Sequence, residues 1–203
     1  MSKFAQDLEV ILCPIRDLYL SRYFRRLAKW RDVGKDVRPE AKIRDMNGDL
    51  VRDGVLNLPR RADFGLAGPQ ATEYQDLAEI CDMIFEPMEF SLSRKASIKV
   101  SPFCWKAFAV TFDAGDDPQR LHLVRQWYLE GFLSRRLDES PDIHGVLHSL
   151  SGPTFQNDMW SIEIDMGSAP IAVFANLLDV LVGSGVTEIS VGAEPLFQDA
   201  PTD

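Results

Sequence analysis

The chain has 203 residues, 45% hydrophobic and 26% charged, with a formal net charge of -9. These are globular proportions: they exclude a disordered chain, and the length is enough to bury a core without disulfides or a structural metal. The first ten residues lack a signal-like apolar run, and the longest apolar stretch, Ile171 to Val182, is interrupted by Asn176 and Asp179. That stretch is too short for a bilayer, so a soluble, cytoplasmic protein with no membrane contact is expected.

Charge is unevenly spread. Residues 1–61 carry 14 of the 22 Lys+Arg and 9 of the 31 Asp+Glu, so the remaining chain is strongly acidic. Such asymmetry points to a partner for one end or to the two parts facing each other. A net acidic chain disfavours nucleic acid. Cys13, Cys81 and Cys104 are odd in number and widely spaced, and read as reduced core thiols.

The first element expected is a helix from Pro14 to Arg31. Ile15, Leu18, Tyr19, Tyr23, Leu27 and Trp30 recur at three- and four-residue spacing, Pro14 suits a first turn, and Gly34 suits a stop. Its Arg22, Arg25, Arg26 and Lys29 read as the polar flank of an amphipathic helix, with the acidic C-terminal part as an intramolecular partner. Lys35 to Gly68 is turn-rich and reads as the linker region. Asn47-Gly48 marks a hairpin, Asp53-Gly54 a second turn, and Pro59 to Gly68 a loop. A second helix is expected over Pro69–Phe85, stopped by Pro87, then strands at Met88–Leu92 and Ser97–Val100.

From Cys104 the pattern is a strand (Cys104–Phe112), an acidic turn, a helix (Pro118–Arg136), a strand (Ile143–Leu150) and a loop at Ser151-Gly152-Pro153. Met159–Met166 alternates, with Trp160, Ile162, Ile164 and Met166 against Ser161, Glu163 and Asp165. A helix capped by Ser168 and a strand at Val186–Val191 complete the order β-α-β-β-α-β. The fold expected is α+β: a ferredoxin-like, split βαβ sandwich over residues 96–195, an N-terminal helical and hairpin extension over 1–95 packed on its open face, and a tail at 196–203.

Chemistry-bearing residues are few. His144 and His148, expected on one strand, face the next strand's Glu163 and Asp165; these are acid–base residue types and the catalytic candidates. A strand rise of about 3.3 Å per residue sets the two histidines about 13 Å apart, too far to share one metal ion. No metal and no cofactor is expected. Asp45-x-Asn47-x-Asp49 starts like a calcium loop, but Leu50 and Leu56 occupy the positions of the required glycine and glutamate, which leaves a hairpin. Gly167-Ser168-Ala169-Pro170 lacks the phosphate-loop and nucleophile-elbow spacings and reads as a helix cap.

Two acidic sets, Asp113, Asp116 and Asp117, then Asp138, Glu139 and Asp142, flank the first helix of the sandwich and form a docking surface for a basic protein. The leading functional expectation is therefore an acidic protein-binding module, an inhibitor of immunity-protein type or an adaptor. The alternatives are a small hydrolase-like or metal-dependent enzyme using His144, His148, Glu163 and Asp165, or a small-molecule sensor. No residue pattern establishes a family, and oligomeric state is not legible.

Overall fold

The structure, a computed structural model, describes residues 3–68, 71–78, 83–91, 96–113, 118–133 and 142–193. Helix α1 spans Lys3–Asp32, eleven residues earlier than the proline signal implied, with Pro14 inside it. Its buried stripe is Leu8, Leu12, Ile15, Tyr19, Tyr23, Leu27 and Trp30, a continuous three- and four-residue repeat that carries the helix through the missing amide of Pro14. Gly34, at φ 72°, ends it: the Gly34 amide donates to the Arg31 carbonyl and the Lys35 amide to the Trp30 carbonyl.

The region read as linker and loop is instead a small sheet. Strands β1 (Val37–Lys42), β4 (Arg61–Ala67) and β5 (Thr72–Gln75) pair antiparallel in the order β1-β4-β5, and β2 (Arg52–Asp53) and β3 (Leu58–Pro59) form a short ribbon. The expected hairpin at Asn47-Gly48 is present, with Gly48 at φ 85° and the Asp45 carboxylate accepting the Asn47 and Asp49 amides. Thr72–Gln75 is strand where a helix was expected, because β4 offers it an open hydrogen-bonding edge and Thr and Tyr favour extended backbone. Residues 69–70 and 79–82 of that expected helix, and with them Cys81, lie outside the described residues.

The second sheet has six strands in the order β6-β7-β11-β8-β10-β9. They are β6 (Met88–Ser91), β7 (Ser97–Val100), β8 (Phe108–Asp113), β9 (Ser149–Gln156), β10 (Met159–Asp165) and β11 (Glu188–Gly192). All neighbours are antiparallel except β7 and β11. Helix α2 (Pro118–Leu133) joins β8 to β9, and helix α3 (Ile171–Gly183) joins β10 to β11. The molecule is thus a mixed α+β protein.

One strand moved relative to expectation. Residues 143–148 are not strand, and Ser151-Gly152-Pro153 lies inside β9; the turn to β10 is Asn157-Asp158, both at positive φ, the geometry a two-residue hairpin needs. Ser168 does not cap α3, whose preceding residue is Pro170 with no side-chain cap.

The six-stranded sheet has two unlike faces. Phe108, Val110, Phe112, Ile162, Ile164, Ile98, Ile189 and Val191 are buried on one, where Phe174 of α3 meets Phe108 edge-on at 5.6 Å. On the other, Glu89, Lys99, Glu163 and Glu188 are exposed over a floor of small residues such as Thr111 and Ser161. The N-terminal part was expected to cover this face, whereas helix α1 packs on α3 and β1. Its anchor is aromatic: Phe64 of β4 stacks on Tyr23 at 4.6 Å and takes Trp30 edge-on at 4.8 Å. Such pairs contribute about 0.5–1.5 kcal/mol each beyond area burial.

Candidate functional site

Where the small sheet meets the ends of β9 and β10, the structure buries a set of charges. His148, just before β9, is fully buried. Its Nε2 lies 3.0 Å from Glu40 Oε1, and its Nδ1 3.3 Å from Asp63 Oδ1 and 3.8 Å from Asp165 Oδ2. The Nδ1 approach is off-line for a hydrogen bond, so it acts through charge. Lys106, 7% exposed, places Nζ 2.8 Å from Asp63, 3.5 Å from Asp76 and 4.0 Å from Asp165. The Tyr19 hydroxyl donates to Asp63 at 2.5 Å, and the Leu77 amide donates to the same carboxylate.

Glu40 is the most heavily bonded acid. Its carboxylate accepts from His148, from the Ser168 amide and hydroxyl, and from the His144 amide. Ser168 Oγ in turn accepts from the Gly145 and Val146 amides. Glu40 sits in β1 at φ 46°, a left-handed conformation that costs a non-glycine residue about 1–3 kcal/mol. The surrounding bonds hold it there, including Arg61 Nη1 donating to its carbonyl at 2.9 Å.

Gly167 makes room for the ring. A Cβ there would lie 2.2 Å from His148 Cδ2, and its φ of 52° is itself strained for any other residue.

The electrostatics follow from burial against pairing. Burial pushes the His148 imidazole toward neutrality, but Asp165, Asp63 and Glu40 outweigh it and hold its pKa up to about 10. Burial raises Asp63 and Glu40 as well, and the bonds from His148, Lys106 and Ser168 overturn that, leaving both below the ordinary carboxylate range. Lys106 is desolvated yet held above its usual value by Asp63, Asp165 and Asp76. Asp165 is the exception: burial and the Asp63 charge push its carboxyl up to about 7, against His148 and Lys106.

Of the four residues expected to be catalytic, the fold gathers His144, His148 and Asp165 around Glu40 and leaves Glu163 outside. Glu163 is exposed and accepts from the Ser151 hydroxyl at 3.2 Å. Glu163 and Asp165 do share an open cleft of about 200 Å³ with Arg60, Lys106, Ser149 and Ser151. Among the described residues no set of three or more His, Cys, Asp and Glu side chains is arranged to hold a metal ion.

The acids expected to face a partner are engaged within the molecule where they are described. Asp113 accepts from the Thr187 amide and hydroxyl and from the Glu188 amide. Asp142 takes both terminal nitrogens of Arg31, at 2.9 and 2.6 Å, a contact between the basic helix and the acidic part. Asp116, Asp117, Asp138 and Glu139 lie outside the described residues.

Glu40, Asp63, Lys106 and Ser168 were missed by sequence reasoning. They are far apart in the chain, and the only local hint was polarity in otherwise apolar runs: Asp63 before Phe64 and Lys106 after Trp105.

Comparison with protein-family models, with curated proteins and with solved structures finds no match for this chain. Among the described residues no helix is long and apolar enough to cross a membrane.

Proposed function

We propose that this is a cytoplasmic protein-binding module that docks a basic protein on the glutamate-bearing face of its six-stranded sheet. The observation that carries the reading is the charge of that face: Glu89, Glu163 and Glu188 stand exposed on it, with Lys99 the cation its strands present. Of the small residues on this face, Ser97 and Ser190 are accessible beside the glutamates, while Thr111 and Ser161 are buried beneath it. Charge complementarity of this kind raises association rates and fixes orientation. Asp113, at the end of β8, caps the start of β11. The other acids expected to face a partner, Asp116, Asp117, Asp138 and Glu139, add negative charge to the chain in this reading.

The reading includes a fold label: strands β11-β8-β10-β9 with α2 and α3 are taken as a ferredoxin-like, split βαβ sandwich. The strand order and the two helices against the apolar face support it, and open faces of such sheets are apt for docking. An inhibitor of immunity-protein type or an adaptor is the functional class that fits.

The test is affinity capture at low salt with the native chain and with the triple variant Glu89→Lys, Glu163→Lys, Glu188→Lys, followed by hydrogen-exchange mapping on the complex. A partner bound by the native chain, released by salt, lost from the variant and protecting β7, β10 and β11 is the expected outcome. Equal retention by both chains, or protection elsewhere, overturns the reading.

A second reading, a small acid–base enzyme, is favoured by one observation: Asp165, held near neutrality, lines the open cleft beside Glu163 and Lys106. Turnover of an ester, amide or phosphoester panel that disappears in Asp165→Asn, with the fold intact, would favour it over docking.

A further inference from the structure

On the other side of Glu40 from the buried histidine, β1 and the 44–50 hairpin border an open groove of about 880 Å³. Its lining includes Arg38, Lys42, Arg44, Arg61 and His144, with Glu40 and Asp45 as its acids. Both acids are committed elsewhere: Glu40 to His148 and Ser168, and Asp45 to the amides of its own turn. The four Arg and Lys side chains have carbonyl partners at most: Arg44 donates to the Gly48 carbonyl and Arg61 to those of Glu40 and Phe132. Among the described residues no carboxylate lies within ion-pair distance of Arg38, Lys42, Arg44 or Arg61.

Arg61 makes the imbalance acute. It is 8% exposed, its two terminal nitrogens donate to the carbonyls of Glu40 and Phe132, and its buried Nε has no partner. Its guanidinium lies 4.6 Å from the Phe132 ring centre, and Lys42 Nζ lies 5.9 Å from the same ring. A buried cation without a counter-charge is unfavourable unless something else supplies the charge. Lys42 registers the same field: burial, then Arg61 and Arg44, hold its ammonium below the ordinary lysine range.

We propose that this groove is an anion site for a di- or triphosphate group, free or carried by a nucleotide. Four cations lining one groove match the several oxygens of a polyphosphate better than a single carboxylate, and arginine forks suit phosphate geometry. The volume falls in the range of small-molecule sites, roughly 300–1,000 Å³. The site is separate from the proposed docking face and stands or falls independently of it.

The test is calorimetric titration of the native chain with inorganic pyrophosphate and with ATP, without divalent metal, at two salt concentrations. Lys42→Glu and Arg38→Glu are the variants, and Arg25→Glu on the exposed face of α1 is the control; circular dichroism confirms that each is folded. Expected are saturable binding by the native chain, at least tenfold weaker binding in both groove variants, and an unchanged constant in the control. Equal affinity for the two probes identifies the free anion as sufficient, and tenfold tighter ATP identifies a nucleotide. Absence of binding of both probes to the native chain, or equal weakening in the control, overturns the proposal.

Discussion

Glu40 separates two regions that treat charge in opposite ways. Behind it, His148 and Lys106 are each set against carboxylates within 4.0 Å, in a space from which water is nearly excluded. In front of it, Arg38, Lys42, Arg44 and Arg61 share a groove in which none of the four has an ion pair among the described residues. Matched buried charges hold their position and resist loss of either member; unmatched ones leave a field that acts outward. The contrast teaches that titratable residues are not equally available for function merely by being clustered. Here the most perturbed imidazole belongs to the closed side.

The largest expected effect comes from breaking the matched side. His148→Gln leaves Glu40 and Asp63 facing an uncharged amide and should destabilise the protein by about 3–5 kcal/mol. Urea unfolding with an unchanged slope and a lower midpoint is the readout; a midpoint within error of the native chain would contradict the role given to His148. Gly167→Ala should follow. It forces a left-handed alanine, about 1–2 kcal/mol, and overpacks the ring, about 1–3 kcal/mol. The same unfolding curve measures it.

The pH dependence sharpens the comparison. His148 has an ordinary value of 6.5 and about 10 in the fold, so its contribution is complete below about pH 6.5 and is lost as pH climbs through about 10. Asp165, raised from 3.8 to about 7, has the same sign, its contribution fading as pH rises through about 7. Asp63 and Glu40 are depressed and act oppositely, stabilising above about pH 4 and losing that as pH falls. Thermal melts of the native chain should therefore fall from pH 7 to pH 10, and His148→Gln should flatten that limb and weaken the acid one as well, since His148 is the foremost group holding Glu40 and Asp63 down.

Smaller effects belong to the surface. Arg31→Ala removes the paired guanidinium of Asp142, 47% exposed, and should cost under about 1 kcal/mol. Smallest of all, Lys42→Met on the unmatched side should leave stability within about 0.5 kcal/mol, since it removes repulsion as well as charge. A drop of several kcal/mol there would erase the distinction between the two regions.

The legible part of the fold was the part written in local periodicity. The alternation of Met159–Met166 marked β10, the stripe Leu121, Val124, Tyr128, Leu129 and Phe132 marked α2, and the turn residues around Ser168 and Pro170 marked the helix that is α3. The misread part was written in pairing. β4 carries Arg61 and Asp63 between apolar residues, so its run looked like loop until both its neighbours and its buried partners were present. β5 looked helical because Tyr74, Leu77 and Ala78 fall at helical spacing, while an adjacent strand edge decided otherwise. The site divides similarly. His148 and Asp165 stood out by type, but their separation along the chain from Glu40 and Asp63 hid the fact that they are mutual partners.

That separation bears on how the chain is made. Tyr19, Glu40 and Asp63 leave the ribosome well before Lys106, and the imidazole and hydroxyl that receive Glu40 come only with residues 148 and 168. Until then the first third carries two acids bound for the interior with nothing to neutralise them. The small sheet therefore closes only after synthesis has passed residue 168, and nascent chains arrested earlier should stay open to protease within β1 and β4.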